Sequence, residues 1–180
     1  MSVRRTRLDC YNISGSKIRA KILLFALFLV LLPADPALVA SVEVNVTYVI
    51  DPDCLGALNI FAEARSEPFE GQVAVGSVVR NRMERRYFSD GTVAGTIFFP
   101  WQFSWANTND TQRRRVFACD ANDPRYLRAL EAWHASKNER PVGAAVLYHA
   151  HYVSPPWAAA PAVKLVRQIE RHLFYIDGEG

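Results

Sequence analysis

The chain has 180 residues, of which 50% are hydrophobic and 22% are charged, and this composition excludes a disordered or collagen-like protein. Its formal charge of +3 is unevenly distributed, because six basic and two acidic residues precede Ser41, whereas fifteen basic and sixteen acidic residues make up the rest. The folded part is therefore almost neutral. We expect no nucleic-acid partner, since binding to phosphates needs clustered Lys and Arg.

Residues 1–40 predict a targeting segment. A basic stretch ending at Lys21 precedes an unbroken apolar run from Ile22 to Leu32, and Ala40 supplies a small residue where cleavage could occur. The apolar run is shorter than the roughly 20 residues of a stable membrane span. A cleaved signal peptide and a retained signal anchor both remain open. Either one exports the domain to the periplasm or the extracellular space, and the anchor would hold it at the inner membrane.

The chain contains three cysteines. Cys10 lies before the apolar run, where it cannot be a lipid-attachment cysteine. Cys54 and Cys119 lie in the exported part, and an oxidising compartment would allow them to form a disulfide. We predict a Cys54–Cys119 disulfide, with two unpaired buried thiols as the alternative.

We predict that the exported part consists of a lead-in segment over residues 41–54 and a single domain over residues 55–180. Residues 42–50 predict a strand or extended lead-in. Apolar residues at helical spacing predict helices over residues 55–65, with Asp53 as N-cap, and over 69–83, 124–136 and 161–172. Residues 88–99 predict a loop with a short helical piece, 100–105 an aromatic loop, 107–114 an exposed polar segment and 144–152 a strand. The fold class is α+β, mostly helical with a small β element.

Candidate acid–base residues lie around the break between the first two helices. Glu63 falls in the last turn of the first helix, where the negative end of the helix dipole and partial burial both raise a carboxyl pKa. A general acid at neutral pH needs such a shift. Glu67 precedes Pro68 and could cap the helix or line a cleft. Glu70 is in the first turn of the second helix, where an acid is favoured by the dipole alone.

Two further clusters are consistent with a binding groove for a sugar, which needs flat apolar faces beside fixed hydrogen-bonding groups. The aromatic rings could instead pack as core, and we expect one or two of them to do so. The first is the aromatic loop and the second surrounds Tyr148 and His149. His149 and His151 would share a strand face, but no third ligand at metal-site spacing is apparent, so we predict no metal and no cofactor. The site residues predicted for substrate binding are Gln102, Phe103, Ser104, Trp105, Tyr148, His149 and Trp157.

These segments together resemble the SleB/CwlJ-like cell wall hydrolases, the spore-cortex-lytic type of peptidoglycan enzyme. The resemblance extends over residues 55–175, and two positions depart from it: Ser66, where the family usually has Gly, and Trp101, where Gly is common after the proline. The segments that carry the resemblance are residues 62–68, 70–75, 79–82, 100–105, 143–149, Trp157 and 171–175.

The resemblance implies a single lysozyme-like, lytic-transglycosylase-like domain that cleaves the β-1,4 bond between N-acetylmuramic acid and N-acetylglucosamine in peptidoglycan. It also implies one glutamate as acid and base, which by position is Glu63, with Glu67 in reserve. We expect a monomer that contacts the membrane only through its N-terminal segment. An amidase or peptidase using Cys54 or Cys119 with a histidine, or a metal set, is one alternative. A non-catalytic wall-binding module is the other.

Overall fold

The computed structural model describes residues 11–12 and 49–178. Contacts group the residues from Ile50 onward into one compact unit and Tyr11–Val49 into a second, and every site residue discussed below lies in the first. Two-residue strands, β1 (Tyr11–Asn12) and β2 (Val49–Ile50), precede the helices. The predicted targeting segment lies outside the described residues. Within the described part of the chain, no helix combines the length and apolar character needed to cross a membrane.

Two helices carry the candidate glutamates, and local sequence signals set their ends. Helix α1 (Pro52–Ala64) begins after Asp51, whose side chain accepts a hydrogen bond from the Cys54 amide at 2.8 Å. Asp51 is therefore the N-cap, two residues before the predicted Asp53, and Pro52 occupies the first position of the helix. Helix α2 (Phe69–Arg85) starts after Pro68, which forces the break between the two helices.

The remaining helices are short except for the last. Helix α3 (Val93–Ile97) is the short helical piece expected after residue 88, and a 3₁₀ turn (Ser104–Ala106) follows it. Helix α4 (Thr111–Phe117) forms in the segment predicted to be polar and exposed, because Asp110 caps it and Val116 anchors it in the core. Helix α5 (Pro124–Ala135) is capped by Asp123 and packs against α1 and α2.

A three-stranded antiparallel sheet completes the domain, in the order β3–β5–β4. Its strands are β3 (Leu147–Ala150), β4 (Val163–Ile169) and β5 (His172–Asp177), and a second 3₁₀ turn (Pro156–Ala159) precedes β4. The last strand in the chain is thus the central one. The domain is α+β and mostly helical, as the sequence predicts.

The prediction of a helix over residues 161–172 is wrong, because this segment forms β4 and the turn into β5. The register of β4 against β5 shifts between Leu165 and Arg167, which leaves Val166 as an extra residue. That bulge breaks the alternation of apolar and polar residues. The apolar spacing of Val163, Val166 and Ile169 then resembles a helix, although β4 is largely exposed.

The predicted Cys54–Cys119 disulfide is also wrong, because Cys119 is a free and buried thiol. The Cys119 thiol donates a long hydrogen bond to the Asp120 carbonyl at 3.6 Å, and the Tyr126 hydroxyl donates to Cys54 Sγ at 3.5 Å. Disulfide formation depends on how closely the two Cα atoms approach, which sequence separation does not give.

Candidate active site

Glu63 lies at the C-terminal end of α1, as predicted, and lines a depression of about 250 Å³. Its side chain is half-buried, and its Oε2 accepts a hydrogen bond from the Tyr148 hydroxyl at 3.1 Å. Tyr148 belongs to β3, so this bond joins the helical part of the domain to the sheet. The carboxyl group is thereby fixed in one orientation at the edge of an open depression.

The surroundings of Glu63 raise its pKa from 4.5 to about 7. Burial is the main cause, because removing water disfavours the charged form. The hydrogen bond from Tyr148 and the positive charge of Arg82 lower the pKa again, and the negative charge of Asp110 raises it. Near neutral pH, both forms of the carboxyl group are therefore populated, so it can both donate and accept a proton.

Glu67 lines the same depression but is engaged in an ion pair. Its side chain is 2% exposed, and its Oε1 lies 2.8 Å from Nε of Arg171. The Arg171 backbone amide donates to Oε2 at 3.4 Å, and His172 Nδ1 lies 3.8 Å from the same oxygen. Arg171 also donates through Nη2 to the Ser66 hydroxyl at 2.6 Å. These contacts tie the break between α1 and α2 to the start of β5.

Serine at position 66 fits the backbone there. Ser66 is not among the described non-glycine residues that have a positive φ, so a side chain adds no strain. Its hydroxyl instead supplies the acceptor for Arg171. The departure from the family at this position therefore leaves the Glu63 end of α1 intact.

A larger cleft of about 610 Å³ brings together four of the predicted substrate-binding residues: Gln102, Tyr148, His149 and Trp157. These come from the aromatic loop, β3 and the second 3₁₀ turn. Tyr148 lines this cleft and hydrogen-bonds to Glu63, which lines the smaller depression, so the pair lies between the two cavities. The other residues that line the cleft are Arg82, Tyr87, Phe88, Trp101, Leu147, Val153, Pro155, Ala160, Ala162, Val163 and Asp177.

His149 is held by two hydrogen bonds and two aromatic neighbours. Its Nδ1 lies 2.9 Å from the Ala150 carbonyl, which can only accept, so Nδ1 carries the proton. Its Nε2 lies 2.8 Å from the Tyr175 hydroxyl and, in the neutral ring, accepts from it. The Tyr175 ring stacks on His149 at 5.2 Å, and the Trp157 ring meets it edge-on at 5.4 Å. His149 thus forms a rigid part of the cleft wall.

The other three predicted substrate-binding residues are placed differently. Phe103 and Trp105 are each 2% exposed and belong to the core, so their predicted direct contact with substrate is corrected to a packing role. The Trp105 indole donates to Asn59 Oδ1 on α1 at 2.9 Å. Ser104 is exposed on the first 3₁₀ turn and lines neither the large cleft nor the smaller depression. In a loop with many aromatics, sequence alone does not separate rings that pack inward from rings that face the cleft.

Arg82 is the main site residue that we did not predict from the sequence. It is 4% exposed, and its Nε donates to the Val146 carbonyl at 2.6 Å. Its guanidinium lies 5.1 Å from the centre of the Phe103 ring, and it lines the large cleft. The sequence did contain a signal for Arg82, because it falls on the apolar face of the predicted second helix. A buried charge without a partner is costly, so an arginine at such a position indicates a polar partner nearby.

Tyr87 and Asp177 form a further polar pair that the sequence did not indicate. The Tyr87 hydroxyl donates to Asp177 Oδ2 at 2.8 Å, and both residues line the large cleft. Burial and this hydrogen bond raise the pKa of Tyr87 to about 12. The pair connects the end of β5 to the segment after α2.

The described residues contain no metal cluster, and Cys119 is not an activated thiol. Among them, no group of three or more His, Cys, Asp or Glu side chains is arranged to hold a metal ion. Burial raises the pKa of the Cys119 thiol to about 11, the opposite of the shift that a nucleophilic cysteine needs.

Comparison with curated proteins finds spore cortex-lytic enzymes. The enzyme from Oceanobacillus iheyensis is 33% identical over 144 residues, covering 74% of this chain and 45% of the relative. The enzyme from Bacillus subtilis is 30% identical over 125 residues, covering 64% of this chain and 34% of the relative. The chain therefore matches less than half the length of these two relatives.

Comparison with solved structures also finds proteins of the spore cortex-lytic type. The catalytic domain of the SleB protein of Bacillus cereus matches with a TM-score of 0.54 at 26% identity, over 68% of this chain and 88% of that domain. The catalytic domain of the germination-specific lytic transglycosylase SleB of Bacillus anthracis matches with a TM-score of 0.55 at 25% identity, over 73% of this chain and 98% of that domain. The fold is thus the lysozyme-like one predicted from the resemblance.

The family model described as Cell Wall Hydrolase matches residues 66–175, more than half of the chain. The matched segment starts just after Glu63 and contains α2, the aromatic loop and most of the sheet. The chain belongs to the cell wall hydrolase family.

Proposed function

We propose that this protein is an enzyme that cleaves the glycan strands of peptidoglycan at the β-1,4 bond between N-acetylmuramic acid and N-acetylglucosamine, with Glu63 as the single acid and base. The observation that carries the proposal is the half-buried carboxyl of Glu63, whose pKa of about 7 leaves it able to give and retake a proton. Its hydrogen bond to Tyr148, which lines the large cleft, supports a glycan strand that is bound in that cleft and reaches Glu63.

The proposed reaction has two proton transfers. Protonated Glu63 donates its proton to the glycosidic oxygen, and the bond from that oxygen to C1 of the muramic acid residue breaks. The resulting carboxylate then takes the proton from the C6 hydroxyl of the same sugar, whose oxygen bonds to C1. The product is a 1,6-anhydro sugar, no water is consumed, and Glu63 ends in its original protonated form.

The surrounding carboxylates favour this one-glutamate scheme over one that needs two. Most water-using glycosidases place a second free carboxylate across the scissile bond. Glu67 is paired with Arg171 at 2.8 Å, and the Asp110 side chain accepts from the Gln112 amide at 2.6 Å as the N-cap of α4. Both carboxylates already have structural partners.

The assignment to Glu63 rather than Glu67 is independent of the family match, which begins at residue 66. It depends on the difference between their surroundings. The lytic transglycosylase named among the structural neighbours is consistent with the proposed chemistry but belongs to another protein, and the curated relatives are more than twice as long as the matched part.

Mass spectrometry of the soluble products from purified sacculi tests the proposal. We expect disaccharide units that end in an anhydro sugar, lighter by one molecule of water than the hydrolysis product. Reducing ends that carry the added water would indicate a muramidase that uses Glu63 with water. Free stem peptides beside intact glycan would overturn the proposal in favour of an amidase. Binding to sacculi without soluble products would indicate a wall-binding module.

We also propose that residues 1–40 export the domain as a signal peptide or signal anchor, with residues 41–54 as a lead-in and 55–180 as a monomeric catalytic domain. The substrate of the proposed activity lies outside the cytoplasm, which supports export. Fractionation tests this: we expect the protein in the exported or membrane fraction. N-terminal sequencing that begins near Ser41 would indicate cleavage, and the full-length protein in the cytoplasm would contradict export.

A further inference from the structure

Trp101 has a backbone conformation that tryptophan rarely adopts. The Gln102 amide donates to the Phe99 carbonyl at 3.2 Å, Pro100 is the second residue of this turn, and Trp101 is the third, with a φ of +67°. Proline second and a positive φ third are the features of a type II turn, whose third residue is normally glycine. Because tryptophan has a Cβ atom, the backbone is strained at this position.

The packing of the side chain does not offset that strain. Trp101 is 84% exposed, the highest value among the exposed large hydrophobic residues of the described chain. Its backbone amide donates to Asn107 Oδ1 at 3.2 Å, a contact that glycine at this position would make equally well. Both the strained backbone and the exposure of an apolar ring to water lower the stability of the fold. Backbone strain of this kind is often found at ligand-binding sites.

The exposed indole lies on the large cleft. Trp101 lines it together with Gln102, His149 and Trp157, so two tryptophans from separate loops face one cleft that also holds polar groups. A pyranose ring matches this combination. Its C–H faces pack on flat aromatic surfaces, and its hydroxyl and acetamido groups form hydrogen bonds at its edge.

We propose that Trp101 is a sugar-stacking residue that binds the glycan strand in the large cleft at a subsite remote from the scissile bond. This inference rests on the proposed glycan-cleaving function and adds a specificity-determining contact to it. Glu63 does not line the large cleft, and Trp101 does not line the depression that holds Glu63. The indole therefore contributes to strand binding in the ground state and the transition state alike, so its loss raises KM and leaves kcat unchanged.

The test compares Trp101→Gly, Trp101→Ala and Trp101→Tyr with the wild-type chain. The probe is soluble glycan strands, released from sacculi by removal of the stem peptides. Affinity is measured by calorimetry in the Glu63→Gln background, and KM and kcat are measured with Glu63 present. We expect Trp101→Gly and Trp101→Ala to bind roughly tenfold more weakly, the scale for one lost aromatic contact. Trp101→Tyr, which keeps a flat ring, should retain most of the affinity.

Stability should change in the opposite direction to affinity. We expect Trp101→Gly to melt no lower than the wild type and several degrees above Trp101→Ala, since glycine relieves the positive φ and alanine does not. A functional but strained residue gives this combination, whereas a packing residue would lose stability and affinity together.

Glu170→Gly is the matched control. Glu170 has a φ of +45° in the turn between β4 and β5, and it does not line the large cleft. Its replacement should relieve similar strain without weakening glycan binding. Wild-type affinity in Trp101→Gly, or a lower melting temperature together with weaker binding, would overturn the inference. If the wild-type chain neither binds nor cleaves the strands, the proposed function itself fails, and the wild-type measurement shows this before any variant is made.

Discussion

Glu63 and Glu67 differ little in sequence position but greatly in their surroundings. Glu63 ends α1, has one neutral hydrogen-bond partner in Tyr148, and has a pKa raised to about 7 by burial. Glu67 is equally a carboxylate on the same depression, yet Arg171 neutralises its charge through a direct ion pair at 2.8 Å. The Glu63 carboxyl can therefore exchange a proton, whereas the Glu67 carboxylate is engaged in an ion pair that stabilises the fold. The arrangement of partners, not the residue type, distinguishes a catalytic candidate from a structural one.

The largest expected effect is the loss of turnover in Glu63→Gln. Glutamine keeps the shape of the side chain but cannot donate and retake a proton. General acid–base assistance is typically worth about 10²–10⁴-fold, so the rate of release of soluble products from sacculi should fall by at least that factor. Glu67→Gln should keep a rate within a few-fold of the wild type at temperatures well below its unfolding transition.

Glu70→Gln is the control for both, because Glu70 pairs with Arg167 at 2.8 Å on the surface, with 51% of the Glu70 side chain exposed. It should behave as the wild type. Normal turnover by Glu63→Gln together with an inactive Glu67→Gln would transfer the catalytic role to Glu67. If both variants stayed active, the one-glutamate mechanism would be wrong.

The second expected effect is a pH-dependent gain in the stability of Glu63→Gln. The pKa of Glu63 is about 7 in the folded protein against 4.5 as the ordinary value, so the native state binds more protons between these limits. The contribution of Glu63 to stability is therefore complete below about pH 4.5 and is lost as the pH rises to about 7. Above about pH 7, Glu63→Gln should have a free energy of unfolding higher than that of the wild type by up to about 3 kcal/mol.

Urea unfolding of the two proteins at a series of pH values measures this difference. The two free energies should agree near pH 4.5 and diverge as the pH rises. A constant difference across the range would mean that Glu63 titrates normally in the folded protein, and its surroundings would then not explain a catalytic role.

The third expected effect is a loss of stability in Glu67→Gln, opposite in sign to the second. Removing this charge leaves Arg171 without its carboxylate partner and places an amide where two donors from Arg171 converge. Because Arg171 is 50% exposed and can be solvated, we expect a loss of about 1–3 kcal/mol rather than the larger cost of an isolated buried charge. Urea unfolding at pH 7 measures it, and an unchanged midpoint would show that the ion pair contributes no net stability.

The smallest expected effect is a shift of the pH–rate profile in Tyr148→Phe. The Tyr148 hydroxyl lowers the pKa of Glu63 by donating to its carboxylate, so its removal should raise that pKa further. The profile of kcat should move to higher pH by a fraction of a unit to about one unit, with a change of a few-fold at its maximum. A profile that keeps its position would show that the Tyr148 hydroxyl does not act on the titrating group.

The helical half of the domain was largely predictable from the sequence. Helices α1 and α5 have an aspartate N-cap followed by proline, α2 begins directly after Pro68, and all three have apolar residues at helical spacing. These local signals suffice for their approximate bounds. The position of Glu63 in the last turn of α1 followed from the same signals.

The sheet and the cleft were less predictable, because they depend on contacts between distant segments. The bulge at Val166 made β4 resemble a helix, and Arg171, whose pairing fixes the role of Glu67, lies in the turn that follows β4. Phe103 and Trp105 share a loop with Gln102, but only the fold decides that the two rings face the core while Gln102 faces the cleft.

The central place of β5 in the sheet also has a consequence for biogenesis. During synthesis, β3 and β4 emerge from the ribosome before β5, yet among the described strands each pairs only with β5. Tyr175 and Asp177, which brace the cleft, lie on that same strand. The cleft therefore cannot be assembled until the chain has been made as far as Asp177. Any nascent chain interrupted before β5 would therefore leave β3 and β4 without the strand that pairs with both, and it would lack this cleft.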